Sequence, residues 1–575
     1  MKLPMRRAVV HLVLLIVTSS PCWGADTPAE SAEAPVYDLL IRNGAVYDGS
    51  GSAPFLGDVA VLGDSIAAVG AGLPGRGRAE IDAEGLAVAP GFINMLSWAP
   101  ETLLVDGRSQ SDIRQGVTLE VMGEGVSMGP LSEAMKKAKP EKRGPLEYEV
   151  AWTTLGEYLE HLVERGVSTN VASFVGATTV RINVLGYQRR DPTAQELQRM
   201  KELVRHAMEE GAMGLSTALV YAPASYAKTR EIVELAKVAA EYGGMYISHM
   251  RSERDAILRA LDELIQIARE AGIRAEIYHL KVPGDEGTER LDQVLEKVEE
   301  ARRAGLAITA DMYLYTASAT SLDSLLPNWI HEGGQISLLK RLKNAKTRKR
   351  LLQEMKIRRP ENIRIMGLKG SAFREMSGKD LVEIASRRRT TPEEAVLDLI
   401  VEEPERVKMV RFSMSEENIR RQIALPWMSF GSDGGSMAPE GVFLELHTHP
   451  RAYGNFARLL GKYVRDEKVI LLEEAVRRLT SLPAANLQLE RRGAIKPGYY
   501  ADLAIFDPAR VQDHATYDEP HRYATGMVHV FVNGVQVLRD GEHTGAKPGR
   551  VVRGPGWKGK EGGRASRDAG DPARP

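Results

Sequence analysis

Between Gly244 and Tyr315 short apolar runs alternate with amphipathic stretches, and this alternation restricts the fold more than any other feature of the chain. GMYISHM reads as a strand, and ERDAILRALDELIQIAREAG places Ile257, Leu261, Leu264, Ile265 and Ala268 at helical spacing. RAEIYHL is a second strand, LDQVLEKVEEARRAG a second helix and LAITADMYLY a third strand. Each unit takes about thirty residues, the period of βα units in a parallel barrel. The expectation is an α/β chain built on a (β/α)8 TIM-like barrel over residues 91–484. Its functional groups should lie at the C-terminal strand ends, where His249, His279, Asp311 and Asp433 fall.

The flanks read differently. Residues 37–90 carry YDLLIRNGAVYDGSG and GDVAVLGDSIAAVG, short alternating strands punctuated by Asn-Gly and Gly-Asp turns. Residues 485–553 repeat the style with RGAIKPGYYADLAIFDP and MVHVFVNGVQVLRDG, so both ends are expected to meet in one small β-sandwich. A charged stretch at about 325–420 breaks the barrel rhythm and reads as an inserted helical subdomain able to cover the site. Residues 554–575 lack apolar periodicity and read as a disordered tail.

The first residues, with Lys2, Arg6 and Arg7 before an apolar run from Ala8 to Val17, have the layout of a secretory signal cleaved after Gly24. Residues 25–36 then form a linker, and the protein is expected in a periplasm or outside the cell. A lipid anchor at Cys22 is the rival reading, but Ser19, Ser20 and Pro21 make a poor attachment box. Lysine plus arginine number 76 against 77 aspartate plus glutamate, with no extended basic face. Nucleic acid and, beyond export, membrane are therefore not expected partners; a small-molecule substrate is. Nothing in the sequence speaks to oligomeric state.

Four segments, GEGVS, SHMR, YHLK and GSDG, each put a metal-binding or proton-transferring side chain where an apolar run gives way to a loop. Zinc takes three protein ligands of nitrogen, sulfur or carboxylate type and keeps one open position in catalytic sites. Glu124, His249 and His279 supply such a set. Either histidine alone is more often a surface or core residue, but two at successive strand ends of one βα repeat reverse that balance. Asp433 is an acceptor when ionised and suits proton transfer from an activated water, although Asp-Gly is also an ordinary turn signal.

Together with QGVTLEVMGEGVSMGP, GAMGLSTALVYAPASYA, YISHMRSE, YHLKVPG, ADMYLY, GSDGG and HPRAYGNFARLLGKYVRD, these motifs run in order from about Tyr37 to Arg553. The chain resembles the amidohydrolase superfamily, specifically the N-acyl-D-amino-acid deacylase (D-aminoacylase) family. The resemblance implies metal-dependent hydrolysis of N-acyl-D-amino acids, with zinc on His249, His279 and Glu124, where well-known members carry a cysteine at the last position. It implies Asp433 as the catalytic aspartate, and Lys281, Tyr221 and Arg251 as groups that bind the substrate carboxylate. Where related hydrolases carry His-x-His, PGFINMLSW offers Leu96 and Trp98, which points to one divalent ion rather than two. Ala177 stands in place of a common histidine and Leu314 in place of a proline. A dipeptidase or cyclic-amide hydrolase using the same site, or a metal-holding homologue without catalysis, are the alternatives.

Overall fold

The structure, a computed structural model, describes residues 35–138, 146–283, 287–368, 374–403 and 406–559. The expected signal peptide, the linker up to residue 34 and the tail from residue 560 lie outside the described residues.

Eight parallel strands form the central ring. They are β1 (Phe92–Asn94), β2 (Val117–Met122), β3 (Asn170–Ser173, continued by Val175–Gly176) and β4 (Gly214–Ala218). The remaining four are β5 (Met245–His249), β6 (Ala275–Ile277), β7 (Ile308–Met312) and β8 (Met428–Phe430). Each pairs with the next in register. The ring closes between β8 and β1, where Met95 N donates to Phe430 O at 3.2 Å and a parallel bridge joins Ser97 to Gly434. Every residue of VTLEVM and of MYISH is buried, as expected of parallel strands covered on both faces. The helix Ile257–Ala271 turns Ile257, Leu261, Leu264, Ile265 and Ala268 onto this ring. Each buried Leu or Ile contributes about 1.5–3 kcal/mol.

The insertion between β7 and β8 differs from the sequence expectation in extent and content. It starts with the strand Ala317–Ser321, ends with Lys408–Phe412, and sets Ile363–Met366 beside the latter in a three-stranded antiparallel sheet. The helices Gly334–Leu342, Leu381–Arg388 and Pro392–Glu402 pack on its own core of Leu338, Ile363, Leu381 and Leu399. The subdomain is therefore mixed rather than wholly helical. Its strands are only four or five residues long, and ASATS is made wholly of small or hydroxylated residues, so little alternating pattern marks them. Beyond it, the helix Glu416–Ile423 buries Ile419 and Ile423 in the barrel core and belongs to the barrel.

Both chain ends meet in one nine-stranded sheet, in which Leu503–Phe506 pairs antiparallel with Ala87–Pro90. The long strand Val36–Val46 pairs with Phe55–Leu62, Arg76–Asp82 and Ala87–Pro90, around a core that includes Leu39, Val59, Val88, Leu503 and Phe531. The chain then returns to the barrel. Val552 N donates to Val171 O and Gly554 N to Gly211 O, at 2.9 and 2.8 Å. Residues 554–559, expected in the tail, instead lie along the barrel base, with the Arg553 guanidinium 4.5 Å over the Trp557 ring.

Candidate metal centre and its cavity

Glu124, His249 and His279 converge at the C-terminal mouth of the barrel. His249 Nδ1 lies 2.8 Å and His279 Nε2 2.9 Å from the same Glu124 oxygen, Oε1. All three residues are buried, and one ligand atom from each lies within 4.8 Å of the others. The local backbone makes this possible. Glu124 sits between Gly123 and Gly125, at φ +103° and +64°, and a Cβ on Gly125 would stand 2.5 Å from the Ala218 Cβ. His249 ends β5, whereas His279 lies just past β6 at φ 34°, with its N–H donating to Asp311 Oδ1 at 2.9 Å. Two neutral imidazole nitrogens and one carboxylate oxygen are a fitting donor set for a divalent ion such as zinc.

The charges around the cluster favour an ionised Glu124 and a protonated His279, whose ring must shed that proton to ligate an ion. Burial opposes ionisation of Glu124, yet the charge of His279 and hydrogen bonds from both histidines hold its carboxyl well below the usual range. For His279, burial and the Lys281 ammonium act downward, but Glu124 and Glu253 outweigh them and raise it to about 10. Glu253, which sequence reasoning missed, stands behind both histidines. Its Oε1 lies 3.2 Å from His279 Nδ1, 3.6 Å from His249 Nε2 and 2.8 Å from Lys281 Nζ. Carboxylates in this position orient metal-ligating histidines. The only hint in the sequence is its place four residues after His249.

Asp433 occupies the loop after β8 at φ 46°, its N–H donating to Leu96 O at 2.8 Å. Left-handed backbone at a non-glycine residue is strained, and both His279 and Asp433 carry it. Arg451, also unassigned from sequence, clamps the aspartate: Nε donates to its carbonyl and Nη2 meets Oδ2, each at 2.8 Å. Burial raises the Asp433 carboxyl, and Arg451 and His279 act against that rise. Its pKa lies above the ordinary aspartate value, a shift in the direction that suits a proton acceptor.

These groups line a cavity of about 1580 Å³ between the barrel mouth and the insertion. Lys281 lines it, in contact with Glu253 and 5.5 Å over the Tyr313 ring. Tyr221 lines it too; its hydroxyl meets Thr320 Oγ1 of the insertion at 2.9 Å, and its ring packs edge-on to His249. Arg251 does not join them, which corrects the sequence expectation. Its guanidinium is committed to Glu263, Ser225 O and Ala227 O, and the residue is not part of the cavity wall. At Leu314 the backbone N–H donates to Asn455 Oδ1 at 2.9 Å, a bond that a proline there would forfeit.

A closed parallel barrel with this cluster at its mouth defines a class of metal-dependent hydrolases, and the chain belongs to the amidohydrolase family, which residues 79–538 match. Several of its relatives are D-aminoacylases or N-acyl-D-amino-acid deacylases. D-aminoacylase of Alcaligenes xylosoxydans xylosoxydans is 33% identical over 91% of this chain and 98% of that protein. A solved D-aminoacylase, described for a binuclear metal centre with one-metal activation and second-metal attenuation, is 34% identical with a TM-score of 0.76, covering 90% of this chain and 100% of that one. N-acyl-D-glutamate deacylase from Bordetella bronchiseptica, solved with zinc and a phosphonate mimic of the tetrahedral intermediate, is 30% identical with the same TM-score of 0.76 and the same coverage, 90% and 100%.

Proposed function

We propose that this protein hydrolyses the amide bond of N-acyl-D-amino acids, giving a carboxylate and a free amino acid, with one zinc ion per chain. The observation that carries this is the convergence of Glu124, His249 and His279 on one point at the cavity, with Asp433 held by Arg451 in the same wall. When bound, the ion supplies Lewis-acid polarisation of the scissile carbonyl and lowers the pKa of water. Asp433 takes a proton at its carboxylate from the attacking water and returns it to the departing nitrogen. Arg451 keeps that carboxylate fixed through both transfers. The Lys281 ammonium and the Tyr221 hydroxyl bind the substrate carboxylate, and Glu253 holds Lys281 and the histidines in place. The N-terminal charge and hydropathy pattern supports export of the enzyme to the periplasm.

The test is free-amine release by the purified, zinc-loaded protein from matched N-acyl-D- and N-acyl-L-amino acids. Release from the D series, abolished by chelation, is the expected result. Release from dipeptides or cyclic ureides alone would reassign the substrate class, and no release from any of them would leave a metal-holding scaffold.

A further inference from the structure

Glu124 divides its two oxygens between different kinds of partner. Oε1 faces His249 and His279, while Oε2 accepts a 2.7 Å hydrogen bond from the Trp98 indole Nε1. Trp98 is held for this task by its own backbone, whose N–H donates to Gly434 O at 2.9 Å, and by Ser97, whose N–H donates to Val121 O at 2.8 Å. The dipeptide is thus fixed between β2 and the Asp433 loop. An indole N–H is a donor only and cannot ligate a metal, and neither can Leu96, which is fully buried among Ile93, Leu119 and Val121. Among the described residues no other set of three His, Cys, Asp or Glu side chains converges as a metal site.

A carboxylate with both oxygens free can chelate one ion or bridge two. Here the second oxygen is claimed by a neutral donor, and neither Leu96 nor Trp98 offers a ligand atom. We propose that Trp98 is a positioning residue that restricts Glu124 to one-oxygen ligation of a single ion and closes the centre to a second. This rests on the metal centre of the proposed function, not on which amide is hydrolysed.

The experiment titrates metal-free protein with Co²⁺ and follows bound metal per chain by elemental analysis and the visible cobalt bands. Wild type is expected to saturate at one equivalent and to hold there in excess cobalt. Trp98→Phe keeps an aromatic ring and removes the N–H, and the residue is 44% exposed, so folding should survive; a melting curve checks it. It should bind its first cobalt about 10–100-fold more weakly, the usual loss when a group hydrogen-bonded to a ligand is removed. Its bands should shift as Oε2 becomes free to coordinate. The double variant Leu96→His with Trp98→His should take up a second equivalent. Two equivalents on wild type, or a Trp98→Phe protein with wild-type affinity and bands, would overturn the inference. Wild type that binds no cobalt would instead remove the metal centre itself, and failure to hydrolyse acyl amino acids alongside one bound cobalt would touch only the proposed substrate.

Discussion

Glu120 and Glu124 stand four residues apart, both are buried, and both accept a hydrogen bond from the same dipeptide: Ser97 Oγ to Glu120 Oε2 and Trp98 Nε1 to Glu124 Oε2, each at 2.7 Å. Their carboxyls nevertheless move in opposite directions. Glu120 has only neutral donors, the hydroxyls of Ser97, Thr169, Ser109 and Ser436, and lies beside a second buried acid, Asp112; burial raises its pKa, and Asp112 is raised by burial and by the charge of Glu120. Glu124 meets two imidazoles and is held well down. Burial without a positive partner raises a carboxyl's pKa; positive partners hold it down as an anionic ligand. Glu276 in β6 repeats the first case, with Thr309, Ser429 and Asn486 as partners and a carboxyl pushed up by burial to about 7.

The largest expected effect separates the two glutamates directly. Glu124→Gln removes the anionic ligand and should cost roughly 10³-fold in turnover together with the metal. Glu120→Gln, an isostere of the protonated acid, should keep metal content and activity. Equal metal loss in both variants, read by elemental analysis, would break the contrast. Next in size, Asp433→Asn should lower turnover by roughly 10²–10³-fold while metal content stays at the wild-type level, because the aspartate moves a proton and the ion is held elsewhere. Metal loss in that variant would place Asp433 among the ligands.

Smaller effects sharpen the picture of which cations serve the site. Lys281→Met should raise KM for acyl amino acids by roughly 10-fold or more, the scale of a lost charge-assisted hydrogen bond. Arg251→Met should leave KM unchanged and instead lower the thermal midpoint, since its partners are Glu263 and two backbone carbonyls. The smallest effect is a pH slope. Glu276 stays protonated in the fold up to about 7 but ionises near 4.5 when unfolded, so stability falls as pH rises between those values and levels off above. The slope is at most about 1.4 kcal/mol per pH unit. Glu276→Gln should therefore gain on wild type from pH 5 to 8 in thermal melts; a constant offset across that range would assign the proton elsewhere.

What was legible in the sequence follows from the same physics. Parallel strands covered on both faces leave apolar runs, so the βα rhythm and the strand-end positions of His249 and His279 could be read directly. Glu253 and Arg451 could not, because each acts across a loop whose path no local pattern encodes. Arg251 misled for a definite reason. The family resemblance alone suggested it for the substrate carboxylate, and no local pattern shows that the chain past the end of the strand at His249 turns its guanidinium to Glu263, Ser225 O and Ala227 O. The insertion hid its sheet behind short strands such as ASATS and KMVRF that lack a buried stripe.

The segment 549–554 has a consequence for how the ring is held together. Gly549, Val552 and Gly554 donate their N–H groups to Val167, Val171 and Gly211 at the foot of the barrel. Those acceptors come from the first half of the chain, so the foot of the ring is completed by a segment more than 300 residues further along the sequence. A product cut short before residue 549 leaves buried carbonyls without donors and a seam open to proteases. The stability of the ring thereby depends on a segment distant from it in sequence and far from the chemistry at its mouth.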